Sequence, residues 1–475
     1  MKIQIFVTST RKVNKEYILS GVGSTDKYII RSKHYYKPGL YLEVIGKARK
    51  SESEIEALLI RELRGKERKE AEDKINRFID NNLKIIKPKG KMDIIKDKDQ
   101  SKILEKLELY FENAAKMITK AIFLDRPIII RFHSDTDGLC SALALYFSIQ
   151  KVRNVKLFEN RYPYYKELEC KSDIQEKDLL AEYLSPLLVN LDFGANEESI
   201  ESYKEVKRNE FEILVVDHHQ PFKKIQEYID LFVSPYLVGG NSEYCAGLLA
   251  FEIARRIEVI GEVIGEVIGE SEKILFYELP KIALIGDRSR LKFDKKDKNI
   301  KYAMVIDYLI STSRFKNEVR SFAKAIRDKD FMEVTYLDAI DRIEDVRKRL
   351  TEKTKIKEIN NIKTLLFNTD KEFKQGEFPG RGEMASIVSD KFSKNEKRPM
   401  ITIGHGKRSF NLRLNEAALN IGINCAEIIS KLKKTVPDGI IAGGGHPGAA
   451  SIRIKEGFHK IVLDQLLEEI KNLKI

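Results

Sequence analysis

A chain of 475 residues is too long for one hydrophobic core, which stops growing near ~250–300 residues, so two or three domains are expected. With 42% apolar and 33% charged residues, and no run of ~18–20 apolar positions, the composition fits a soluble globular protein and leaves nothing to span a membrane. The formal charge of +12, from 85 Lys+Arg against 73 Asp+Glu, favours a polyanionic partner, although both signs are plentiful.

The four cysteines, Cys140, Cys170, Cys245 and Cys425, form no C-x-x-C pair. That argues against a zinc ribbon or a disulfide framework and for a reducing cytoplasm. The opening Met1-Lys-Ile-Gln-Ile-Phe-Val-Thr8 lacks a long apolar core and a cleavage-type ending, so no signal peptide is expected.

Residues 1–50 alternate apolar and polar positions between glycine breaks and predict a small β-rich unit. Tyr28, Tyr35, Tyr36 and Tyr41 lie among Lys27, Arg31, Lys33 and Lys37, either as aromatics of a small core with a basic rim or as a base-stacking surface. From Ser51 the period changes, and Glu56–Leu63 and the charged stretch to Asn82 predict helices, completing an N-terminal β-rich and helical region over 1–90. Lys87–Lys91 is a candidate linker, and Ser101–Leu124 predicts one more helix.

Over 127–290, short apolar strands alternate with helices, the pattern of a mostly parallel sheet in an α/β fold. The strand Pro127–Ile130 runs into Arg131-Phe-His-Ser-Asp-Thr-Asp-Gly138, followed by an apolar helix. Open α/β sheets bind ligands at such carboxyl ends. Three more strands end at Asn160-Arg161, at Asp192-Phe-Gly194 and at Asp217-His-His219. Beyond them come Gly239–Ser242, a helix from Cys245 to Arg256, and a four-residue Val-Ile-Gly-Glu repeat over 258–270 that reads as an insertion without chemistry. The apolar pattern resumes at Lys281–Gly286 before Asp287.

Residues 300–360 are helical and charged, with 341–361 a connector, and 362–475 form a smaller α/β unit with strands near Thr364–Phe367, Pro399–Ile403 and Phe410–Leu414. That unit carries Ala442-Gly-Gly-Gly-His-Pro-Gly-Ala-Ala-Ser451.

Grouped as strand-end acids and imidazoles, His133, Asp135, Asp137, Asp192, Asp217, His218, His219 and Asp287 would repel one another if assembled without cations. Divalent metals resolve that conflict, and mixed His/Asp ligation suits Mn²⁺ best, with Mg²⁺ also accommodated. A pair of cations bridged by a carboxylate suits phosphodiester hydrolysis.

H-x-D-x-D-G after a strand, D-F-G after another, V-V-D-H-H after a third and a distal G-G-G-H-P together resemble the DHH phosphoesterase superfamily, and within it the archaeal RecJ-like exonucleases, over roughly 100–475. The resemblance implies a DHH catalytic domain at 100–340 and a DHH-associated substrate-binding domain at 362–475. It further implies that His133, Asp135 and Asp192 hold one metal, and that Asp137, Asp192, His218 and Asp287 hold the other. His219 would face the scissile phosphate, with Asp217 orienting the imidazoles. Asn160, Arg161, Asn411, Arg413, Gly443, Gly444, Gly445 and His446 would bind substrate.

Several positions depart from the family pattern. The first motif begins with His where bacterial RecJ has Asp, and Asn411 stands where the family has serine. Only Ala449–Ile475 follow the glycine motif, leaving no room for the C-terminal OB domain of bacterial RecJ. The implied activity is hydrolysis of single-stranded DNA or RNA to nucleoside 5′-monophosphates, leaning toward 3′→5′. Alternatives are a 5′→3′ RecJ-type exonuclease, a phosphodiesterase for oligoribonucleotides or cyclic dinucleotides, and a replication-complex subunit bound to GINS. A homo-oligomer is compatible with the same resemblance.

Overall fold

Continuous apolar runs bounded by turn residues become the strands of a parallel sheet buried on both faces. These are β6 (Ile128–His133), β7 (Val155–Asn160), β8 (Leu187–Leu191), β9 (Glu212–Val216) and a short edge strand, β10 (Leu231–Val233), in the order β10-β9-β8-β6-β7. The computed structural model describes residues 1–49, 51–83, 94–149, 155–160, 162, 164–257, 270–312, 319–373 and 377–473. The candidate linker at 87–91 and most of the glycine repeat at 258–270 lie outside the described residues. The chain divides into two units, Met1–Lys295 and Lys296–Ile475.

Before the parallel sheet, the first unit holds a closed five-stranded barrel. Its strands are β1 (Lys2–Val13), β2 (Glu16–Gly23), β3 (Lys27–Ser32), β4 (Tyr41–Ala48) and β5 (Glu54–Glu62), in the order β1-β2-β3-β5-β4, with β1 also pairing β4. The helix expected at Glu56–Leu63 is therefore corrected: most of that stretch is β5. Its Glu-Ala-Leu-Leu composition favours helix, but β5 pairs antiparallel with β4 and parallel with β3, and Ile55, Ala57 and Ile60 fill the barrel. Tertiary pairing overrides a local preference of a few tenths of a kcal/mol per residue. Gly65–Asn82 is helical as expected. The helix expected over Ser101–Leu124 is split at Leu107 into Lys98–Lys106 and Glu108–Phe123.

The helix Thr136–Ile149 is apolar almost all round because it is enclosed, packing against the helices Ala246–Ala254 and Glu270–Gly286. Lys281–Gly286 thus belongs to a helix, and Asp287 follows a helix end and not a strand end. Its core-facing Leu279, Ile282 and Ala283 are fully buried, which accounts for the apolar run that a strand would equally produce.

The second unit contains a six-stranded mixed sheet, in the order β11 (Lys355–Ile359), β12 (Ile362–Asn368), β13 (Met400–His405), β14 (Ser409–Leu414), β16 (Ala449–Ile454) and β15 (Ile440–His446). Residues 341–361 comprise the end of the helix Lys329–Lys353 and strand β11; Val346 and Leu350 pack in this unit's core.

The turn from β6 into its helix leaves no space beside Gly138, where an added Cβ would lie 2.2 Å from the His133 carbonyl oxygen. Gly138→Ala should therefore lower unfolding stability by about 1–3 kcal/mol through overpacking. Urea denaturation of the two proteins checks this; equal midpoints would contradict the close approach.

Candidate metal centre

His133 closes β6, and Asp135 follows it as the first cap of the next helix, its Oδ1 accepting from the Gly138 amide at 2.9 Å. His133 Nδ1 lies 2.6 Å from Asp135 Oδ2 and 3.6 Å from Asp192 Oδ2. Asp137, one helical position in, is buried; its carboxylate accepts from the amides of Ala246 at 2.8 Å and Gly247 at 2.7 Å, the first turn of the next buried helix. Two oriented N–H groups at a helix start favour negative charge there.

Asp192 leaves β8 in the left-handed region, with φ 65°, where aspartate is among the few residues tolerated. Gly194 continues the turn at φ 101°, with the Tyr203 hydroxyl 2.2 Å from where a Cβ would stand. The turn aims Asp192 inward: Oδ1 is 3.2 Å from His218 Nε2 and 3.9 Å from His219 Nδ1. That oxygen is buried and accepts no hydrogen bond among the described residues.

At the end of β9, Asp217 accepts from the Ala195 amide at 2.9 Å through Oδ2, and from the amide and Nδ1 of His219 at 3.0 and 2.8 Å through Oδ1. Its oxygens hold the loop and the imidazole, and one of them also lies among the donor atoms of Asp192 and His219. His218 is fully buried; its Nδ1–H donates to the Ser242 carbonyl at 2.6 Å, turning the Nε2 lone pair toward Asp192 and toward Asp137 Oδ2 at 3.5 Å. Asp287 Oδ2 approaches the same ring at 3.8 Å.

Within the first unit three donor groups result, His133/Asp135/Asp192, Asp137/Asp192/His218 and Asp192/Asp217/His219, each with one ligand atom per residue and the atoms of each group within 4.8 Å of one another. They share Asp192. The electrostatics match a site built for cations. Burial, followed by the neighbouring Asp192 charge, pushes Asp137 up to about 8; burial, followed by Asp135, pushes Asp192 up to about 7. Asp287 is raised by burial and then by Asp137. Burial opposes protonation of His219, but Asp217 outweighs it and lifts the imidazole to about 9. Burial and the adjacent His219 lower His218, keeping the neutral form that a ligand needs. Carboxylates that resist ionisation beside a neutral imidazole, with one buried oxygen lacking a donor, fit divalent cations.

Asn160 is not presented to solvent. It is buried, and its Nδ2 donates to the carbonyl of Tyr162 at 2.5 Å and of Tyr164 at 3.4 Å, so it clamps the loop that follows β7. Arg161 lies outside the described residues.

In the second unit, the glycine motif runs along edge strand β15 instead of forming a loop, and sheet pairing engages only one side of its backbone. Register places His446 opposite Ala449 and Ala449 opposite Arg413; Gly444 opposes Ser451, which opposes Asn411. Asn411, Arg413, Gly444 and His446 therefore share one face of the sheet. Arg413 donates to Ser386 Oγ at 2.7 Å and to the Leu412 carbonyl at 2.9 Å. Gly445 has φ 143°, while a Cβ on Gly444 would meet nothing within 4 Å, so Gly444 faces open space.

Sequence reasoning passed over Ser242, Ala246 and Gly247, which act through backbone groups. The turn Gly239–Ser242 before a small-residue helix start was their visible trace.

An α/β unit with paired acid–imidazole groups at its strand ends, followed by a mixed-sheet unit with a glycine-rich edge, defines a metal-dependent phosphoester-binding class. Residues 127–273 match the DHH family, N-terminal domain, and residues 377–474 match the DHHA1 domain. The chain belongs to the DHH phosphoesterase superfamily. It is 27% identical over 511 residues to the uncharacterized protein MJ1198 of Methanocaldococcus jannaschii, a match covering 94% of this chain and 64% of that relative, just under two thirds of its length. A solved DHH domain, described as part of a member of a ribosomal-protein family, is 29% identical, with a TM-score of 0.74 over 86% of this chain and 99% of its own. RecJ from Thermus thermophilus, solved in complex with Mn²⁺, is similar in fold: 14% identity and a TM-score of 0.52 over 83% of this chain and 57% of its own.

Because Asp137, Asp192 and His219 all bind protons more tightly folded than unfolded, each contributes stability that is present below its unfolded pKa and lost as pH rises through its folded value. The range from roughly pH 6.5 to 9 isolates these groups, because ordinary carboxylates have finished titrating below it. Across that range the metal-free protein should lose Tm, and saturating Mg²⁺ should flatten the decline. Thermal scans in EDTA and in Mg²⁺ check this; a rising profile in EDTA would contradict the assignment.

Proposed function

We propose that this chain is a divalent-metal-dependent phosphodiesterase, a single-strand exonuclease that releases nucleoside 5′-monophosphates from DNA or RNA with 3′→5′ polarity. The observation that carries the reading is Asp192, common to the three donor groups of the first unit, with a buried Oδ1 that accepts no hydrogen bond among the described residues. A carboxylate shared between two cations is the arrangement that two-metal phosphodiester hydrolysis uses.

In this reading His133, Asp135 and Asp192 hold one cation, and Asp137, Asp192, His218 and Asp287 hold the other. Mn²⁺ is preferred for the mixed imidazole–carboxylate set, with Mg²⁺ accommodated; RecJ of Thermus thermophilus, of similar fold, was solved with Mn²⁺. Bound cations supply Lewis-acid polarisation of the phosphoryl oxygen and a more acidic water.

The protein's own groups supply position and charge. Asp217 fixes His219 through Nδ1 and favours its protonated form in the metal-free protein, and an Nε2–H of that form would donate to a phosphate oxygen whose charge grows as water attacks. The Ser242 carbonyl locks the tautomer of His218, and the amides of Ala246 and Gly247 fix Asp137. Asn160 braces the carbonyls of Tyr162 and Tyr164, and Arg161 contacts a substrate phosphate. In the second unit, Asn411, Arg413, Gly443, Gly444, Gly445 and His446 grip the strand terminus, the open face at Gly444 leaving room for it. Hydrolysis adds water across the terminal P–O3′ bond, giving a 5′-monophosphate and a new 3′-hydroxyl.

Single strands labelled at either end, incubated with Mn²⁺, test the proposal. The wild type should shorten a 5′-labelled strand progressively and release labelled mononucleotide at once from a 3′ label; the reverse pattern would overturn the polarity. Asp137→Ala and Asp192→Ala should fall to background, and equal, negligible activity in wild type and Asp137→Ala would overturn the enzyme reading. Cleavage confined to dinucleotides would replace the exonuclease by a short-oligonucleotide phosphodiesterase. His219→Ala should keep metal binding and lose about 10²–10³-fold in kcat, as when one donor to a developing oxyanion is removed.

A further inference from the structure

The N-terminal barrel has no part in the chemistry above. Its strand order β1-β2-β3-β5-β4, with β1 closing onto β4 and β3 running parallel to β5, is that of an OB-type Greek-key barrel. Barrels of this topology take up extended strands of nucleic acid on the outer face of β2–β3 and the adjoining β1–β2 loop.

Charge on this barrel is unevenly distributed. Lys2 and Arg61 are paired with Glu43, and Arg31 with Glu54. Around the β1–β2 turn and the segment after β3, Arg11, Lys12, Lys15, Lys33 and Lys37 are all exposed, and among the described residues none of them is in an ion pair. Register brings them to one end: Lys12 opposes Tyr17, Tyr17 opposes Ser32, and Lys33 follows directly. Glu16, the acid of that turn, lies 3.8 Å from Arg31.

Of the five tyrosines in this region, Tyr17 and Tyr36 are partly buried against the barrel core, and the other three separate into two kinds. Tyr28 and Tyr41 are core residues, 8% and 7% exposed. Tyr35 is 51% exposed and stands edge-on to Tyr17, with ring centroids 5.7 Å apart, which fixes the ring while leaving a face open. An oriented aromatic face amid five cations outside any ion pair is the combination that binds single strands without sequence preference: phosphates along the cations, one base on the ring.

We propose that this end of the barrel is a single-stranded nucleic-acid-binding surface, formed by Arg11, Lys12, Lys15, Lys33, Tyr35 and Lys37, that holds substrate independently of the metal centre. The inference deepens the exonuclease reading and rests on it for the role of the bound strand, but binding is measurable without hydrolysis.

The test uses the full chain in EDTA, with fluorescence anisotropy on single-stranded RNA and DNA of about 20 nucleotides, long enough to span one barrel site. A Lys12→Ala/Lys33→Ala/Tyr35→Ala variant, altered only at exposed positions, should bind at least about tenfold more weakly, from loss of one stacked base. Its slope of log K against log salt should shrink by about 1.4, from two lost phosphate contacts. Hydrolysis of a dinucleotide in Mn²⁺ should match the wild type. Affinity and salt slope equal to wild type on both polymers would overturn the proposal; loss on RNA alone or DNA alone would support it and name the polymer. A wild type that binds strands through these residues but hydrolyses neither dinucleotide nor strand would overturn the exonuclease reading and leave the barrel surface standing.

Discussion

Mutual repulsion among carboxylates is the constraint around which the first unit is built. Asp135, Asp137, Asp192 and Asp287 converge on three imidazoles, His133, His218 and His219, and Asp137 and Asp192 do so out of reach of water, being 3% and 1% exposed. Two unit charges ~4 Å apart repel by ~4 kcal/mol even at an effective dielectric near 20. Without cations, burial first and the neighbouring carboxylates second keep protons on both acids, which are pushed into the neutral range. Divalent cations remove the same conflict by supplying the opposing charge, so metal affinity and fold stability are two faces of one interaction.

The surrounding structure prevents the cluster from relaxing in any other way. Asp137 is held by the first amides of a helix whose Gly247 admits no Cβ without closing to 2.5 Å on Ala283, so acid and helix start are matched in shape as well as charge. Asp192 is kept in a left-handed conformation by a turn whose next glycine is pressed against Tyr203. Such local strain persists only where neighbouring packing over-determines it. The two histidines are made unlike by their Nδ1 partners: a neutral carbonyl beneath His218 and a carboxylate beneath His219. One partner favours a lone pair and the other a cation, from adjacent residues of one loop.

Some errors of sequence reading come from signals that are shared by different structures. Glu-Ala-Leu-Leu within β5 carries helical propensity, yet the chain uses it to close a barrel, where pairing with β3 and β4 satisfies their backbone edges. Lys281–Gly286 is apolar in a manner common to a buried strand and a buried helix, and packing against the first site helix decides between them. Asn160 reads as a polar group at a strand end; its commitment to two loop carbonyls is visible only once the loop has folded back. The groups that orient Asp137 and His218 are backbone amides and a carbonyl, which every residue possesses and no pattern of side chains advertises.

The sequence by itself determined the chemistry available to this protein: the acids and imidazoles, their placement at the ends of apolar runs, the glycine motif and the parallel α/β character. These follow from side-chain identity and from periods of two and 3.6, which are local properties. Tertiary structure alone decided that the buried Oδ1 of Asp192 comes up to His218, that Asp217 holds the Ala195 amide and His219, that Gly444 lies on an open edge strand, and that Tyr35 differs from Tyr28 and Tyr41. Each of these depends on atoms well separated along the chain, as with Asp137 and Gly247, and on which polar groups remain uncommitted once neighbours have been satisfied. Those distances are set by packing, which sequence periodicity does not encode.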